Sequence, residues 1–134
     1  MVKEAFCSFK VAFLLKEKGF QQKKDNCGYY ATEMVYSIKE DDDGNHHFCH
    51  QYPACCDKEG GYICAPTLQM AMRWLREEHF IFIQPQHFWK ANLYECYPLS
   101  TKNGEHLHDF HLGYFNTYEE ACEEAIKYCL ENLI

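Results

Sequence analysis

The last helix is the element that the pattern of apolar and polar positions predicts most clearly. Thr117 and Glu120 have the spacing of a capping box, which marks the start of a helix. Glutamates at 119, 120, 123 and 124 suit the positive end of the helix dipole. Apolar residues then recur at the three- and four-residue intervals of one helical face: Ala121, Cys122, Ala125, Ile126, Cys129, Leu130 and Leu133. The pattern predicts a helix over 118–132 with one buried face.

A first helix is predicted near the beginning of the chain. Ser8 is a suitable N-cap, and the helix continues to Lys18 with Val11, Leu14 and Leu15 on its apolar side. Gly19 suits the left-handed position that follows a helix. Phe20 is expected to fold back as the hydrophobic partner of the helix end.

A middle helix is predicted to begin near Pro66 or Thr67 and to run to Glu78, because proline suits a first helical turn. Its buried side is expected to contain Leu68, Ala71, Met72, Trp74 and Leu75. Its last part is similar to the end of the first helix, with residues 14–20 aligning to 74–80. A duplicated unit of one helix and its following strands is one interpretation. Convergence on a common amphipathic ending is the interpretation that we favour.

Alternating residues predict strands over 29–38, around 46–50, and over 80–84, 91–97 and 107–115. The polar run 40–45 is typical of a hairpin turn, and 102–104 of a second turn. The predicted order is α-β-β-α-β-β-β-α, and short turns between strands favour antiparallel pairing. We therefore expect one α+β domain over 1–134, with an antiparallel sheet packed against three helices. From Thr67 onward this order matches a double-stranded-RNA-binding domain, but glutamates replace the basic residues that contact phosphates there.

Composition narrows the choice of partners. Of 134 residues, 47% are apolar and 16% aromatic, which indicates a folded domain with some exposed rings. Twenty acidic and thirteen basic side chains give a net charge of −7, which predicts binding neither to nucleic acid nor to an anionic membrane. Nine cysteines, an odd number, favour reduced thiols in the cytoplasm. We expect a cytoplasmic protein that binds a protein partner or a second copy of itself.

Metal-binding residue types are densest between positions 46 and 64. Structural zinc uses four cysteine or histidine ligands, and adjacent residues of a strand point to opposite faces. The best-spaced pair is therefore His47 with Cys49, and two of Cys55, Cys56 and Cys64 would complete the site. Zinc is the one cofactor for which the sequence gives a candidate site. The favoured alternative is a polar hairpin and loop that is rich in cysteine and histidine.

Other chemical motifs are weaker. Residues 41–45 lack the ligand spacing of a calcium loop, and Cys27 lies in a turn without a cysteine-protease signature. Asp109 and His111 form a candidate acid–base pair, although a surface ion pair is the simpler interpretation. His106 and His108 share a strand face that does not contain His111, so no face gathers three ligands. No phosphate-binding loop, dinucleotide fingerprint or hydrolase motif is present, and we expect no catalytic residue.

Three segments carry a resemblance: 65–77 (APTLQMAMRWLRE), 118–130 (YEEACEEAIKYCL) and 15–20 (LKEKGF). Together they resemble a family of small uncharacterised proteins of gut Bacteroidales and of their phages and mobile elements. The matching motifs lie on predicted helices, and the resemblance implies no activity, cofactor or catalytic residue. The chain is interpreted as a non-enzymatic accessory protein that acts by protein–protein interaction. A zinc-stabilised binding domain and a small enzyme with a Cys–His or His–Asp pair are the alternatives.

Overall fold

The computed structural model describes residues 5–20, 36–49, 63–102, 105–109 and 111–134. Within these ranges the chain forms three helices and nine short strands, and all strand pairs are antiparallel. The helices are α1 (Phe9–Glu17), α2 (Leu68–His79) and α3 (Tyr118–Asn132). The structure confirms the α+β class and the predicted order of helices and strands. No helix in these ranges is both long and apolar enough to cross a membrane.

The described strands form three separate sheets of three strands each, with the orders β2-β1-β3, β4-β7-β8 and β5-β6-β9. Their bounds are β1 (Tyr36–Glu40), β2 (His46–Cys49), β3 (Ile63–Ala65), β4 (Ile81–Phe82), β5 (Gln86–Phe88), β6 (Leu93–Glu95), β7 (Leu99–Lys102), β8 (Glu105–Asp109) and β9 (Tyr114–Phe115). Strands β3, β5 and β7 occupy segments where the sequence pattern predicted none. Residues 29–35 of the first predicted strand, and 103–104 of the second predicted turn, lie outside the described ranges.

The chain divides into two compact units, 1–67 and 68–134. The first unit contains α1 and the sheet β2-β1-β3. The second contains α2, α3 and the other two sheets. The single domain over 1–134 stays a prediction, and each unit is described by itself below.

In the first unit, α1 packs on the sheet β2-β1-β3. Ala12 of α1 forms a buried cluster with Ile38, Ile63 and Ala65 of the strands, and Phe9 packs against this cluster. The Ser8 hydroxyl accepts a hydrogen bond from the backbone N–H of Val11 at 3.3 Å, which confirms the predicted N-cap.

The end of α1 is a Schellman motif. Gly19 has φ +99°, a conformation that favours glycine. The N–H of Phe20 donates to the carbonyl of Leu15 at 2.9 Å, and the N–H of Gly19 donates to that of Lys16 at 3.2 Å. Phe20 is only 4% exposed, so the predicted hydrophobic partner of the helix end is buried.

Replacing Gly19 by alanine is expected to lower the free energy of unfolding by about 1 kcal/mol, because a side chain disfavours the left-handed backbone. Nothing lies within 4 Å of the added Cβ, so the effect comes from the backbone alone. Urea denaturation measures the change. The exposed Glu17→Ala variant in the same turn is the control, with an expected change within about 0.5 kcal/mol. Equal stability of the two variants would show that the turn does not require glycine.

The end of α2 differs from that of α1. His79, which aligns with Gly19, is still helical, and the next residue Phe80 has φ +57°. Phe80 is 49% exposed, whereas the aligned Phe20 is buried. The Phe80 carbonyl accepts a hydrogen bond from the N–H of Thr101 at 2.9 Å, which ties the helix end to β7. The two helix endings therefore have different geometries, which supports convergence over duplication.

In the second unit, α2 and α3 pack against each other. Six of the predicted inner residues of α3 are fully buried: Ala121, Cys122, Ala125, Ile126, Cys129 and Leu130. The seventh, Leu133, caps the helix and is half-buried. The Thr117 hydroxyl accepts a hydrogen bond from the N–H of Glu120 at 3.0 Å, which confirms the predicted cap. On α2, Trp74 is only half-buried and Met70 is buried, so the apolar face is rotated slightly from the predicted one.

Candidate functional site

The predicted hairpin turn over 40–45 joins β1 to β2 and is organised by Asp41. The Asp41 carboxylate accepts hydrogen bonds from the N–H groups of Asp43 at 3.0 Å and Asn45 at 2.8 Å. His47 Nε2 lies 2.8 Å from Asp41 Oδ2, and this hydrogen bond, followed by the one from Asn45, lowers the pKa of Asp41 to about 2. Both oxygens of the Asp41 carboxylate are therefore hydrogen-bonded within the hairpin.

Each of the two described histidines of this hairpin lies within ion-pair distance of a carboxylate. His46 Nε2 lies 3.2 Å from Glu40 Oε2, and its ring stacks on Phe9 with centroids 5.6 Å apart. His47 is held by Asp41 as described above. Both pairs are exposed, and exposed ion pairs of this kind contribute little to stability. Both imidazoles therefore interact with carboxylates of the same hairpin.

The cysteines of the predicted zinc site lie partly outside the described residues. Cys55 and Cys56 are outside, while the backbones of Cys49 and Cys64 lie on β2 and β3. Both are opposite Ser37 of the central strand, so two strand spacings, about 10 Å, separate their Cα atoms. That separation is too long for a disulfide between them.

Side chains that the structure describes include no group of three or more histidine, cysteine, aspartate or glutamate residues able to hold a metal ion. His47 and Cys49 occupy alternate positions of β2, which is the spacing for which they were paired. A zinc site that joins this pair to the segment after β2 stays a prediction.

Four of the described cysteines are buried and reduced: Cys7, Cys96, Cys122 and Cys129. Burial raises the pKa of Cys96 and Cys129 to about 12 and that of Cys122 to about 11. Because the thiolate is the nucleophile and the metal ligand, these protonated thiols are inert near neutral pH. They act as small core side chains. The candidate Cys27 lies outside the described ranges.

The small sheet β5-β6-β9 has two unlike faces. Tyr94 of β6 contacts Tyr118 of α3 with ring centroids 6.1 Å apart, so its face of the sheet is turned to the helix. Glu95 is the next residue and is paired with Tyr114 of β9. Since successive side chains alternate, Glu95, Tyr114 and Phe88 lie on the opposite face.

This opposite face carries a continuous row of rings. Phe88 and Tyr114 have centroids 5.6 Å apart, Tyr114 and His111 5.1 Å, and His111 and Tyr97 4.7 Å. Tyr114 is 51% exposed and Tyr97 is 40% exposed. We call this surface, made of Phe88, Tyr97, His111, Tyr114 and Glu95, the outer aromatic face.

An imidazole and a carboxylate meet in the outer aromatic face. His111 Nε2 lies 3.4 Å from Glu95 Oε2, which is close enough for an ion pair when the ring is protonated. The same nitrogen is buried and makes no hydrogen bond within the described residues, so the two groups are near each other without being aligned. The sequence suggested Asp109 as the partner of His111. In the structure, Glu95 lies beside His111. The side chains of His106, His108 and Asp109 on β8 are not among those that the structure describes.

Glu95 is the site residue that the sequence did not reveal. It is brought to His111 by the pairing of β6 with β9, and no local spacing encodes that pairing. Its position at the end of an alternating strand was the only available signal.

The exposed tyrosine rings make this face suitable for contact with another molecule. The histidine and carboxylate beside them can also exchange a proton. Two shallow grooves of the second unit, of about 210 and 340 Å³, contain neither histidine nor cysteine. Their linings are Leu112, Phe115, Glu124, Lys127, Tyr128 and Glu131 for the first, and Asn92, Tyr94, Asn116, Thr117, Tyr118 and Glu119 for the second.

The outer aromatic face, with its exposed rings and the neighbouring His111 and Glu95, is the candidate functional site. Comparison of the chain with protein-family models, with curated proteins and with solved structures finds no match.

Proposed function

We propose that this chain is a non-enzymatic accessory protein of the cytoplasm that binds another protein through its outer aromatic face. The observation that carries the proposal is the row of half-exposed rings on the side of the sheet turned away from α3. Tyrosine, tryptophan and phenylalanine are enriched at protein interfaces, where a ring buries much area at a small cost in side-chain entropy.

A second aromatic feature lies next to this face in the chain. Trp89 follows Phe88 at the tip of the hairpin between β5 and β6 and is 74% exposed. The Lys90 ammonium lies 5.5 Å from the centre of the Trp89 ring. Burying a large apolar side chain contributes about 1.5–3 kcal/mol, so an interface that covers this tip would gain from it.

The charge of the chain supports a protein partner. Residues 68–134 contain ten aspartates and glutamates and five lysines and arginines. Such a surface repels the phosphates of nucleic acid. The protonated state of the buried thiols also leaves Cys96, Cys122 and Cys129 without a nucleophilic role. The resemblance of the helices to small proteins of Bacteroidales and their phages is part of the same proposal.

A photo-crosslinking amino acid placed at Tyr97 or Tyr114 tests the proposal in cells that express the full chain. We expect both positions to crosslink to one and the same protein. The matched control position is Glu120, which is exposed on α3. Equal crosslinking from Glu120 would contradict a role for the outer aromatic face. Crosslinks to a second copy of the chain would replace the partner by a homodimer, which light scattering after size exclusion would check.

Substitution then measures the contribution of the rings. Tyr97→Ser and Tyr114→Ser are each expected to weaken the purified complex by about tenfold or more, as loss of a central interface aromatic does. Circular dichroism and the thermal midpoint of the free chain should change little, because both side chains are half-exposed. Unchanged affinity in both variants would overturn the proposal.

A further inference from the structure

The Glu95 carboxylate lies largely out of water on the outer aromatic face and has few polar neighbours within the described residues. Its side chain is 18% exposed, and the one ion-pair partner found within the described residues is His111, at 3.4 Å. The His111 ring is a cationic partner of this carboxylate only when it is protonated. A carboxylate largely removed from water without a positive partner lowers stability. A cation supplied from outside would relieve that cost.

Two tyrosine rings lie on the same surface as Glu95 and can receive a cation. Tyr97 and Tyr114 both contact His111, the neighbour of Glu95, with ring centroids 4.7 and 5.1 Å from the imidazole. Aromatic faces attract cations within about 6 Å, and most strongly where water is partly excluded. A carboxylate and two tyrosines on one surface therefore offer both a counter-charge and a stacking platform.

Arginine fits these features better than lysine does. Its guanidinium is planar, stacks on aromatic faces and donates two parallel hydrogen bonds to one carboxylate. Lysine has a compact and strongly hydrated ammonium that gains less from a ring. The excess of acidic residues in 68–134, ten against five basic ones, also attracts a basic segment and repels an acidic one.

We infer that the outer aromatic face binds an arginine of a basic segment of the partner protein, with Glu95 as its counter-charge and Tyr97 and Tyr114 as its stacking rings. This inference rests on the proposed function and names the chemistry of the partner. It also assigns a binding role to Glu95, beside which His111 lies at 3.4 Å.

Three short peptides test the inference on the full chain. They are acetyl-Gly-Arg-Gly-Arg-Gly-amide and its counterparts with lysine or with citrulline, the uncharged isostere of arginine. In nitrogen-15 NMR titrations, we expect the arginine peptide to shift the amide signals of Glu95, Tyr97 and Tyr114 with a Kd of about 1 mM. The lysine peptide should bind more weakly, and the citrulline peptide should give no saturable shift.

Two variants that remove the same charge separate this site from the general acidity of the chain. Glu95→Gln is expected to weaken binding of the arginine peptide by about tenfold. Glu120→Gln, at an exposed position of α3, should change it by less than about twofold. Equal effects of the two variants, or equal binding of the citrulline peptide, would overturn the inference. The citrulline comparison needs no variant and remains decisive if Glu95→Gln is poorly folded.

Failure of this inference is distinguishable from failure of the proposed function. If the protein crosslinked at Tyr97 and Tyr114 contacts them through a segment without arginine, the inference is wrong and the proposed function stands. If neither position crosslinks to a protein, the proposed function is wrong, whatever the peptides do.

Discussion

Replacing Ile126 by alanine is expected to lower the free energy of unfolding by about 3 kcal/mol, one of the largest effects of a single substitution in this chain. Ile126 is fully buried on α3, between Cys122 and Leu130 of the same inner face. Loss of a buried isoleucine removes its transfer free energy and leaves a cavity, and such changes cost about 2–5 kcal/mol. Because small domains are stable by only about 5–15 kcal/mol, this is a large share of the total.

Urea denaturation followed by circular dichroism measures the change, and a graded series tests its cause. Ile126→Val should cost about 1 kcal/mol, since it removes one methylene group. Glu124→Ala, on the exposed side of the same helix, should stay within about 0.5 kcal/mol. An Ile126→Ala variant as stable as Glu124→Ala would show that the inner face of α3 does not carry the core.

The free energy of unfolding is also expected to fall steeply above about pH 9. The folded chain holds the pKa of Cys96 and Cys129 at about 12 and that of Cys122 at about 11, against an ordinary value of 9.0. Below pH 9 the thiols are protonated in both states, so their contribution to stability is fully present. Between pH 9 and 11 to 12 they ionise mainly in the unfolded state, and the contribution is lost. For each thiol, the free energy of unfolding falls by at most about 1.4 kcal/mol per pH unit. For the three together, the fall is at most about 4 kcal/mol per pH unit.

Comparison of the chain with its Cys129→Ala variant separates the effect of the Cys129 thiol from the effects of lysine and tyrosine, which titrate in the same pH range. Urea midpoints between pH 8 and 10.5, measured with reductant present, should fall less steeply for the variant. The expected difference in slope is close to zero at pH 8 and rises towards about 1.4 kcal/mol per pH unit at pH 10.5. Identical slopes would contradict a burial-raised pKa for the Cys129 thiol. The difference in slope is informative even if the variant is less stable at every pH.

The features that the sequence predicted well are local ones. The caps at Ser8 and Thr117, the glycine end of α1 and the turn around Asp41 each depend on residues within five positions of one another. Local hydrogen bonds of this kind join residues that are close in sequence, so the residue types that form them can be recognised from their spacing. The buried face of α3 followed for the same reason, since periodicity alone identifies it.

The strand pairing was not predictable in the same way. Strands β3, β5 and β7 are three or four residues long, too short for a visible alternation. The partners in a sheet are also set by burial and register over the whole unit. One antiparallel sheet was therefore the natural expectation, whereas the described strands form three sheets.

The sequence by itself determined the helices, their caps, the hairpin turn and the acidic character of the surface. Only the tertiary structure decided which rings stay in water and which titratable groups meet. His111 and Glu95 are neighbours because β6 pairs with β9, and Tyr114 is exposed because α3 covers the other face of that sheet. Contacts between distant positions depend on how the whole unit packs, and a local pattern carries no record of that packing.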